Sequence, residues 1–247
     1  METKLENLTV GEIAGQDHRK AEIFRKYGID FCCGGGQSLE EAARRANISE
    51  GELRSALKLA EVSGDPAGFD PGSKTIPELI AIIIHDHHRY VRDTLPLLLE
   101  YGRKVAGHHG EKCPELRPLE QRIRYEAQDL TSHLDKEEKV LFPALIALGE
   151  ESETPPQGPN RLRFIDRCIE RMLGEHQHSG ESLEEFRRLT CNYTPPAGAC
   201  NSFRFLYEKL KEFDADLQQH IHLENNILFP KALDLLKIQT DPQSAAE

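Results

Sequence analysis

Residues 129–143 read DLTSHLDKEEKVLFP, and residues 216–230 read DLQQHIHLENNILFP. In both stretches a histidine is followed four residues later by a glutamate, and Leu-Phe-Pro closes the stretch. Side chains four residues apart on an α-helix lie on the same face, so each stretch places an imidazole beside a carboxylate. The repeat predicts two helices that present the same pair of groups.

Apolar residues recur around these pairs at intervals of three and four residues, which is the spacing of a buried helix stripe. The stripe of the later repeat is Leu210, Phe213, Leu217, His220, Glu224 and Ile227. The stripe of the earlier repeat is Ile123, Glu126, Leu130, His133, Glu137 and Val140. A third stripe contains Leu162, Ile165, Ile169, Met172, His176, Ser179, Leu183 and Phe186. A fourth passes through Ile84, His88, Val91, Leu95 and Leu98, although His87 fits its spacing nearly as well.

Histidine and glutamate in buried stripes predict a metal site. An unpaired buried charge costs several kcal/mol by the usual desolvation argument, and a bound metal ion offsets that cost. Two helices that each offer a His–Glu pair, joined by imidazoles from two others, describe a dinuclear site. Mixed nitrogen and oxygen ligands favour iron or manganese over structural zinc.

A purely structural explanation is the alternative. A single buried histidine is commonly a hydrogen-bonded core residue, and a single His-x-x-x-Glu pair is commonly a surface pairing. That alternative predicts that Glu137→Ala and Glu224→Ala leave the metal content unchanged.

The helical patterns predict an all-α fold with two domains. Four long helices are expected near residues 75–106, 115–148, 161–190 and 200–236, and short connections favour an antiparallel four-helix bundle. Shorter helices are expected at residues 13–28, 38–46 and 50–62. The turn-rich sequence SGDPAGFDPGS at 63–73 separates the two groups. We therefore predict a small helical domain at 1–64, a linker at 65–74 and the bundle at 75–247.

Composition argues against several partners. The 247 residues carry a formal net charge of −11, with a pI near 5.5, and this opposes binding to nucleic acid or to anionic membranes. No apolar run reaches the roughly 18–20 residues of a membrane-spanning helix, and residues 1–12 lack signal-peptide features. We expect a cytoplasmic protein whose six cysteines are free thiols.

Four motifs together resemble the RIC (repair of iron centres) family of hemerythrin-like di-iron proteins. They are FRKYGIDFCCGGGQSLEEA at 24–42, SHLDKEEKVLFP at 132–143, GEHQHSGE at 174–181 and QHIHLENNILFP at 219–230. The resemblance covers nearly the whole chain. It implies two non-haem iron ions per chain, oxo- or hydroxo-bridged, held by His88, His109, His133, Glu137, His176, His220 and Glu224. The other histidines, His85, His87, His108, His178 and His222, are expected to be solvated or to support the ligands.

The resemblance also implies a function, namely repair of iron–sulfur clusters damaged by nitric oxide or oxidants, with the di-iron centre as a labile iron source. The implied partners are damaged or apo iron–sulfur proteins, with nitric oxide or dioxygen as ligands. Two alternatives remain open: a module that binds or senses diatomic gases, and an enzyme that reduces nitric oxide at the di-iron centre. A homodimer is also left open by analogy with the family.

Cys32 and Cys33 are adjacent and precede three glycines and a helix expected to start near Ser38. A nearby helix N-terminus lowers a thiol pKa, so we expect a redox-active or metal-relaying pair. The alternative is a buried turn in which two small residues pack. Asp129 and Glu175 are expected to hydrogen-bond the ligands or to line a polar path to them.

Overall fold

A computed structural model describes residues 8–62, 70–150 and 158–240. Regular secondary structure in these three ranges is helical, apart from an isolated bridge between Thr9 and Ser38. The predicted all-α class is therefore confirmed. Among the same residues, no helix has the length and apolar character needed to cross a membrane.

The chain divides into two compact units. The first comprises Met1–Ile80, Leu148–Pro156 and Gln219–Glu247, and the second comprises Ala81–Ala147 and Gln157–Gln218. The predicted linker at 65–74 falls partly outside the described residues, and Pro71–Ser73 within it forms a 3-10 helix. The domain boundaries stay a prediction.

Four short helices begin the first unit: α1 (Val10–Gln16), α2 (His18–Lys26), α3 (Leu39–Arg45) and α4 (Glu50–Val62). The sequence predicted one helix over 13–28, and this is wrong because Asp17 has extended backbone and its side chain caps α2 by accepting from the N–H of Arg19. The last two helices lie where they were predicted. The hydroxyl of Ser38 and the carboxylate of Glu41 form a capping box that starts α3.

The four long patterns are also helical, and three of them contain a π-helical turn. The first runs through α5 (Ile76–Ile82), π1 (Ile83–His88) and α6 (Arg89–His109). The second runs through α7 (Leu116–Lys136), π2 (Glu137–Leu141) and α8 (Phe142–Glu150). The third is α9 (Gly158–Leu189), and the fourth runs through α10 (Asn201–Leu223), π3 (Glu224–Leu228) and α11 (Phe229–Thr240).

Each Leu-Phe-Pro of the repeat lies where a π turn gives way to an α-helix. Proline lacks an N–H, and its ring clashes with the carbonyl four residues earlier in an α-helix. A widened turn in front of Pro143 and Pro230 relieves that conflict, as π-bulges do elsewhere. The prolines therefore mark changes of helix geometry and do not end the helices.

The predicted stripes are buried, with two exceptions. Val140 is 44% exposed and Ile84 is 37% exposed, whereas their neighbours Leu141 and Ile83 are buried. Both exceptions lie in π turns, which hold more residues per turn than an α-helix and so shift the buried face by one position. A regular 3.6-residue period cannot anticipate that shift.

Candidate metal centre

Three predicted ligands meet in the second unit around the carboxylate of Glu137. His133 reaches it from one turn earlier on α7, and His176 reaches it from the middle of α9. The Oε1 of Glu137 lies 3.2 Å from Nε2 of His133 and 3.8 Å from Nε2 of His176. The two imidazole Nε2 atoms are 3.0 Å apart. All three side chains are at most 3% exposed.

His88 approaches Glu137 from the other side. Its Nε2 lies 3.4 Å from Oε2 of Glu137. The two oxygens of this carboxylate thus face different histidines, which is the arrangement that a carboxylate bridging two ions requires. The neighbouring His87 instead places its Nδ1 2.9 Å from Oδ1 of Asp216. Of the two histidines that spacing could not separate, His88 is the one at the cluster.

Carboxylates outside the cluster fix the orientation of two imidazoles. Nδ1 of His133 donates to Glu175 at 2.9 Å, and Nδ1 of His88 donates to Glu138 at 2.8 Å. Each ring therefore turns its Nε2 toward Glu137. Metal-binding histidines characteristically donate their second ring N–H to a carboxylate in this way.

The same contacts keep both outer carboxylates ionised. Hydrogen bonds from His133, with others from Lys136 and Arg171, hold the pKa of Glu175 far below its usual range despite partial burial. Burial would raise the pKa of Glu138, but hydrogen bonds from His88 and Arg92 outweigh it and lower that pKa. The expectation that Glu175 supports a ligand agrees with its contact to His133. Asp129 is exposed.

The second His–Glu pair belongs to the first unit. His220 is the last residue of its stripe that lies on α10, and the next residue of the stripe, Glu224, begins π3. Nε2 of His220 lies 3.2 Å from Oε1 of Glu224, and both side chains are fully buried. The pair repeats the geometry of His133 and Glu137, as the sequence repeat predicted.

The donor atoms of the second-unit cluster fit a metal ion. Ligand atoms bonded to one ion at about 2.1 Å lie roughly 3 Å apart when their bonds are at right angles. The distances from Nε2 of His133 to Glu137 and to His176, 3.2 and 3.0 Å, match this value, and the distance from His176 to Glu137 is longer, at 3.8 Å. The ligand atoms of all three residues lie within 4.8 Å of one another. Imidazole nitrogen with carboxylate oxygen is the donor chemistry of non-haem iron.

His109 does not join this cluster, so its prediction as a ligand is wrong. His88 immediately precedes α6 and His109 ends it, which separates them by 21 residues. At about 1.5 Å per residue, this places them about 31 Å apart along the helix. His109 instead contacts Cys200 and Phe203. The resemblance supplied this residue, and helix length excludes it.

Of the other histidines that were not predicted as ligands, three are exposed and one is buried. His85, His108 and His178 are exposed and contact Asp86, the carbonyl of Lys104 and Glu181, respectively. His222 is buried in the first unit, 2.8 Å from Asn226 and edge-on to Phe31. Burial lowers the pKa of His222 to about 4, although a hydrogen bond with Ala14 opposes this.

The cysteine segment is bound to the residues that follow Glu224. The side-chain amide of Asn225 donates to the carbonyl of Cys32 at 3.0 Å, and that of Asn226 donates to the carbonyl of Phe31 at 2.9 Å. Glycine is required at position 35, where a Cβ would lie 2.8 Å from the carbonyl oxygen of Phe31. Sequence reasoning missed both asparagines, although their positions next to Glu224 could have drawn attention to them.

The expected low thiol pKa is not found at Cys32. A hydrogen bond with Cys33, burial, and the nearby charge of Asp30 raise the pKa of Cys32 well above its usual value. The Sγ atoms of the two cysteines are 3.7 Å apart, and neither cysteine forms a disulfide. Asp30 accepts from the backbone N–H groups of Cys32, Cys33 and Gly34. Asp30, Cys32 and Cys33 also offer potential metal-binding atoms within 4.8 Å of one another.

Two family models match parts of the chain. Residues 6–61 match ScdA_N, described as a domain of unknown function, and residues 79–232 match the hemerythrin HHE cation binding domain. The latter match confirms the hemerythrin-like class of the predicted bundle. The chain is 38% identical over 229 residues to iron-sulfur cluster repair protein YtfE of Yersinia pestis (strain Pestoides F), covering 92% of this chain and 97% of that protein. The protein of the same name from Yersinia pseudotuberculosis serotype IB (strain PB1/+) has the same identity and coverage.

Proposed function

Because the chain belongs to the RIC family of hemerythrin-like proteins, we propose that it repairs iron–sulfur clusters by supplying iron from a di-iron centre. The observation that carries this proposal is the Glu137 carboxylate, whose two oxygens face His88 on one side and His133 with His176 on the other. The relatives are named for iron–sulfur cluster repair, which gives the proposed recipient class.

The proposed ligands are the predicted set without His109. They are His88, His133, Glu137, His176, His220 and Glu224. The hemerythrin match spans all of them. Glu137 is proposed to bridge the ions because its two oxygens face different histidines. Glu224 is proposed as the second bridging carboxylate because it occupies the equivalent position of the repeat, at the start of a π turn. When bound, a pair of iron ions supplies redox and Lewis-acid chemistry.

The donor set suits release of iron to a cluster protein. The proposed ligands are imidazoles and carboxylates, and they include no thiolate. Iron–sulfur clusters are held by cysteine thiolates, which are softer ligands. Iron that passes to such a recipient exchanges nitrogen and oxygen donors for sulfur donors. Glu175 and Glu138 keep the imidazoles of His133 and His88 oriented during this exchange.

Cys32 and Cys33 are proposed to take part in the transfer as a thiol pair. Their segment is fixed by Asn225 and Asn226, the residues next to Glu224. We expect Cys32→Ser with Cys33→Ser to lower iron transfer while leaving the iron content unchanged. A loss of iron content in this double variant would instead give the thiols a structural role at the centre.

We propose a cytoplasmic location on the same basis. All six cysteines are free thiols, including two on the surface. Free thiols persist in reducing compartments.

Iron transfer to an apo iron–sulfur protein tests the proposal. The iron-loaded chain is mixed anaerobically with the recipient, a reductant and sulfide, and cluster formation is followed by absorbance. His88→Gln should abolish transfer through loss of iron, whereas His87→Gln is the matched control and should retain it, since His87 contacts Asp216 instead. If no iron is transferred and the protein binds nitric oxide or dioxygen reversibly, the gas-sensing alternative is favoured. Turnover of nitric oxide to nitrous oxide would favour the enzyme alternative.

A further inference from the structure

His109 and Cys200 form a side-chain pair that the metal centre does not use. Nε2 of His109 lies 3.2 Å from Sγ of Cys200, within hydrogen-bonding distance for sulfur. Both residues belong to the second unit. His109 ends α6, about 31 Å along the helix from His88 by the usual helix rise. The pair is therefore remote from the proposed ligand on the same helix.

Both the ring and the backbone of His109 are held by neighbouring residues. Its ring packs against Phe203, with the ring centroids 5.5 Å apart. The carbonyl of His109 accepts hydrogen bonds from the N–H groups of Lys112 and Cys113, which close the chain around the end of α6. The ring is half-buried, whereas Cys200 is exposed. A solvent-borne reagent can thus reach the sulfur while the imidazole remains beside it.

The backbone also holds Cys200 in place. Cys200 immediately precedes α10, and its carbonyl accepts from the N–H of Arg204 at 3.1 Å. The connection from α9 contains three consecutive residues with left-handed backbone, Cys191, Asn192 and Tyr193, with φ angles of 48°, 57° and 57°. Non-glycine residues other than asparagine and aspartate are uncommon in this conformation, and surrounding contacts hold them there. Here the hydroxyl of Tyr193 donates to Asp214 at 2.5 Å.

We propose that Cys200 is a reactive thiol activated by His109, and that it undergoes exchange with low-molecular-weight disulfides. A thiol becomes a nucleophile when a neighbouring base takes its proton, and an adjacent histidine is a common activating group. The remaining exposed cysteine, Cys191, provides a comparison within the same chain.

The exchange is balanced without a further oxidant. The sulfur of Cys200 forms a bond to one sulfur of the disulfide while His109 accepts the thiol proton. The original disulfide bond breaks, and the leaving thiolate takes that proton from His109. Cys200 ends as a mixed disulfide, and the leaving half of the reagent ends as a reduced thiol.

Limited alkylation of the iron-loaded protein measures the reactivity of each thiol. The protein is treated with substoichiometric iodoacetamide, and peptide mass spectrometry gives a rate for each cysteine. Cys200 should react at least about tenfold faster than Cys191, a modest share of the roughly 10²–10⁴-fold that positioned acid–base partners supply. Glutathione disulfide should then add its mixed disulfide to Cys200 first.

Two histidine variants decide the origin of that reactivity. His109→Gln should reduce the Cys200 rate to that of Cys191 and leave the iron content unchanged. His108→Gln is the matched control and should leave the rate unchanged, because His108 is exposed and contacts the carbonyl of Lys104. Equal rates for Cys200 and Cys191 in the wild type would overturn the proposal. Loss of iron in a folded His109→Gln variant would overturn it as well, because that loss would show that His109 is an iron ligand.

Discussion

The backbone N–H of Phe142 donates to the carbonyl of Glu137, five residues earlier. An α-helix would pair Phe142 with Glu138 instead. The same five-residue bond joins Phe229 to Glu224 in the other half of the repeat. Both proposed bridging glutamates therefore begin a π turn, and both turns end directly before a Phe-Pro pair. The repeat conserves a backbone geometry together with its side chains.

Pro143→Ala should lower iron affinity. Alanine restores an N–H that can bond to Lys139, so the π turn is free to relax to an α turn and rotate Glu137 away from its histidines. We expect a decrease of about 10–100-fold, similar to the loss of a residue that orients a ligand. Iron retained against graded chelator concentrations measures it. Pro96→Ala, inside α6 and away from a π turn, is the control, and equal iron affinity in the two variants would contradict this role for Pro143.

Glu175→Ala should weaken iron binding without unfolding the chain. The substitution removes the acceptor that fixes Nδ1 of His133, so the ring is free to turn its Nε2 away from Glu137. A decrease of about 10–100-fold in iron affinity is expected. Glu181→Ala is the matched control, because Glu181 is exposed and pairs with the exposed His178 at 3.5 Å. An unchanged affinity in Glu175→Ala would show that packing alone orients His133.

Asp214→Asn should destabilise the second unit. Asp214 is almost fully buried and accepts two hydrogen bonds from Arg187, at 2.6 and 2.7 Å, with a third from Tyr193. Arg187 is one-third exposed, so water partly solvates the charge that the substitution leaves behind, and the expected cost is about 1–3 kcal/mol. Chemical denaturation measures the change in the free energy of unfolding. Glu185→Gln, in an exposed pair with Arg188, should change it by less than about 1 kcal/mol, and equal effects would refute the buried-pair account.

Glu126→Gln should stabilise the protein at neutral pH. Burial raises the pKa of Glu126, although hydrogen bonds with Ser182 and Ser179 oppose it. The folded state then binds this proton more tightly than the unfolded state, so stability declines as pH rises from the ordinary carboxyl pKa of about 4.3 through the raised value. Glutamine keeps the polar contacts and does not titrate.

The advantage of the Glu126→Gln variant should therefore grow as pH rises from the ordinary carboxyl pKa through the raised pKa of Glu126, and should then level off. Each tenfold difference in proton affinity corresponds to about 1.4 kcal/mol. The advantage is measured as the difference in melting temperature between the metal-free wild type and the metal-free variant at each pH. Titration of the metal-site residues affects both proteins equally and therefore cancels in this difference. An advantage that stays constant with pH would mean that Glu126 ionises at no extra cost in the folded state, and one that shrinks would mean that folding lowers its pKa; either would contradict the prediction.

Much of the second-unit cluster could be predicted from the sequence. The four-residue His–Glu offset and the three-four spacing placed His133, Glu137 and His176 in buried positions, because both depend on regular helix geometry alone. Spacing could not separate His87 from His88, since they follow one another at the end of a π turn. Their partners, Asp216 and Glu137, lie on other helices, so tertiary contacts decide between them.

The errors have physical causes as well. Val140 is exposed because a π turn breaks the period from which its burial was predicted. His109 was carried over from the resemblance, although an unbroken α-helix keeps it far from His88. Cys32 was expected to be acidic because a helix follows it, but burial and the charge of Asp30 act in the opposite direction. Each effect depends on neighbours that are distant in the sequence or on backbone geometry.

The iron content of the chain and its histidine variants tests the central claim most directly. Protein reconstituted anaerobically with ferrous iron and freed of excess metal should hold about two irons per chain, as a two-metal site requires. His109→Gln should hold the same amount, and Glu137→Ala should lose most of it. Substoichiometric iron in the wild type, or full iron content in Glu137→Ala, would contradict a di-iron centre built on this carboxylate.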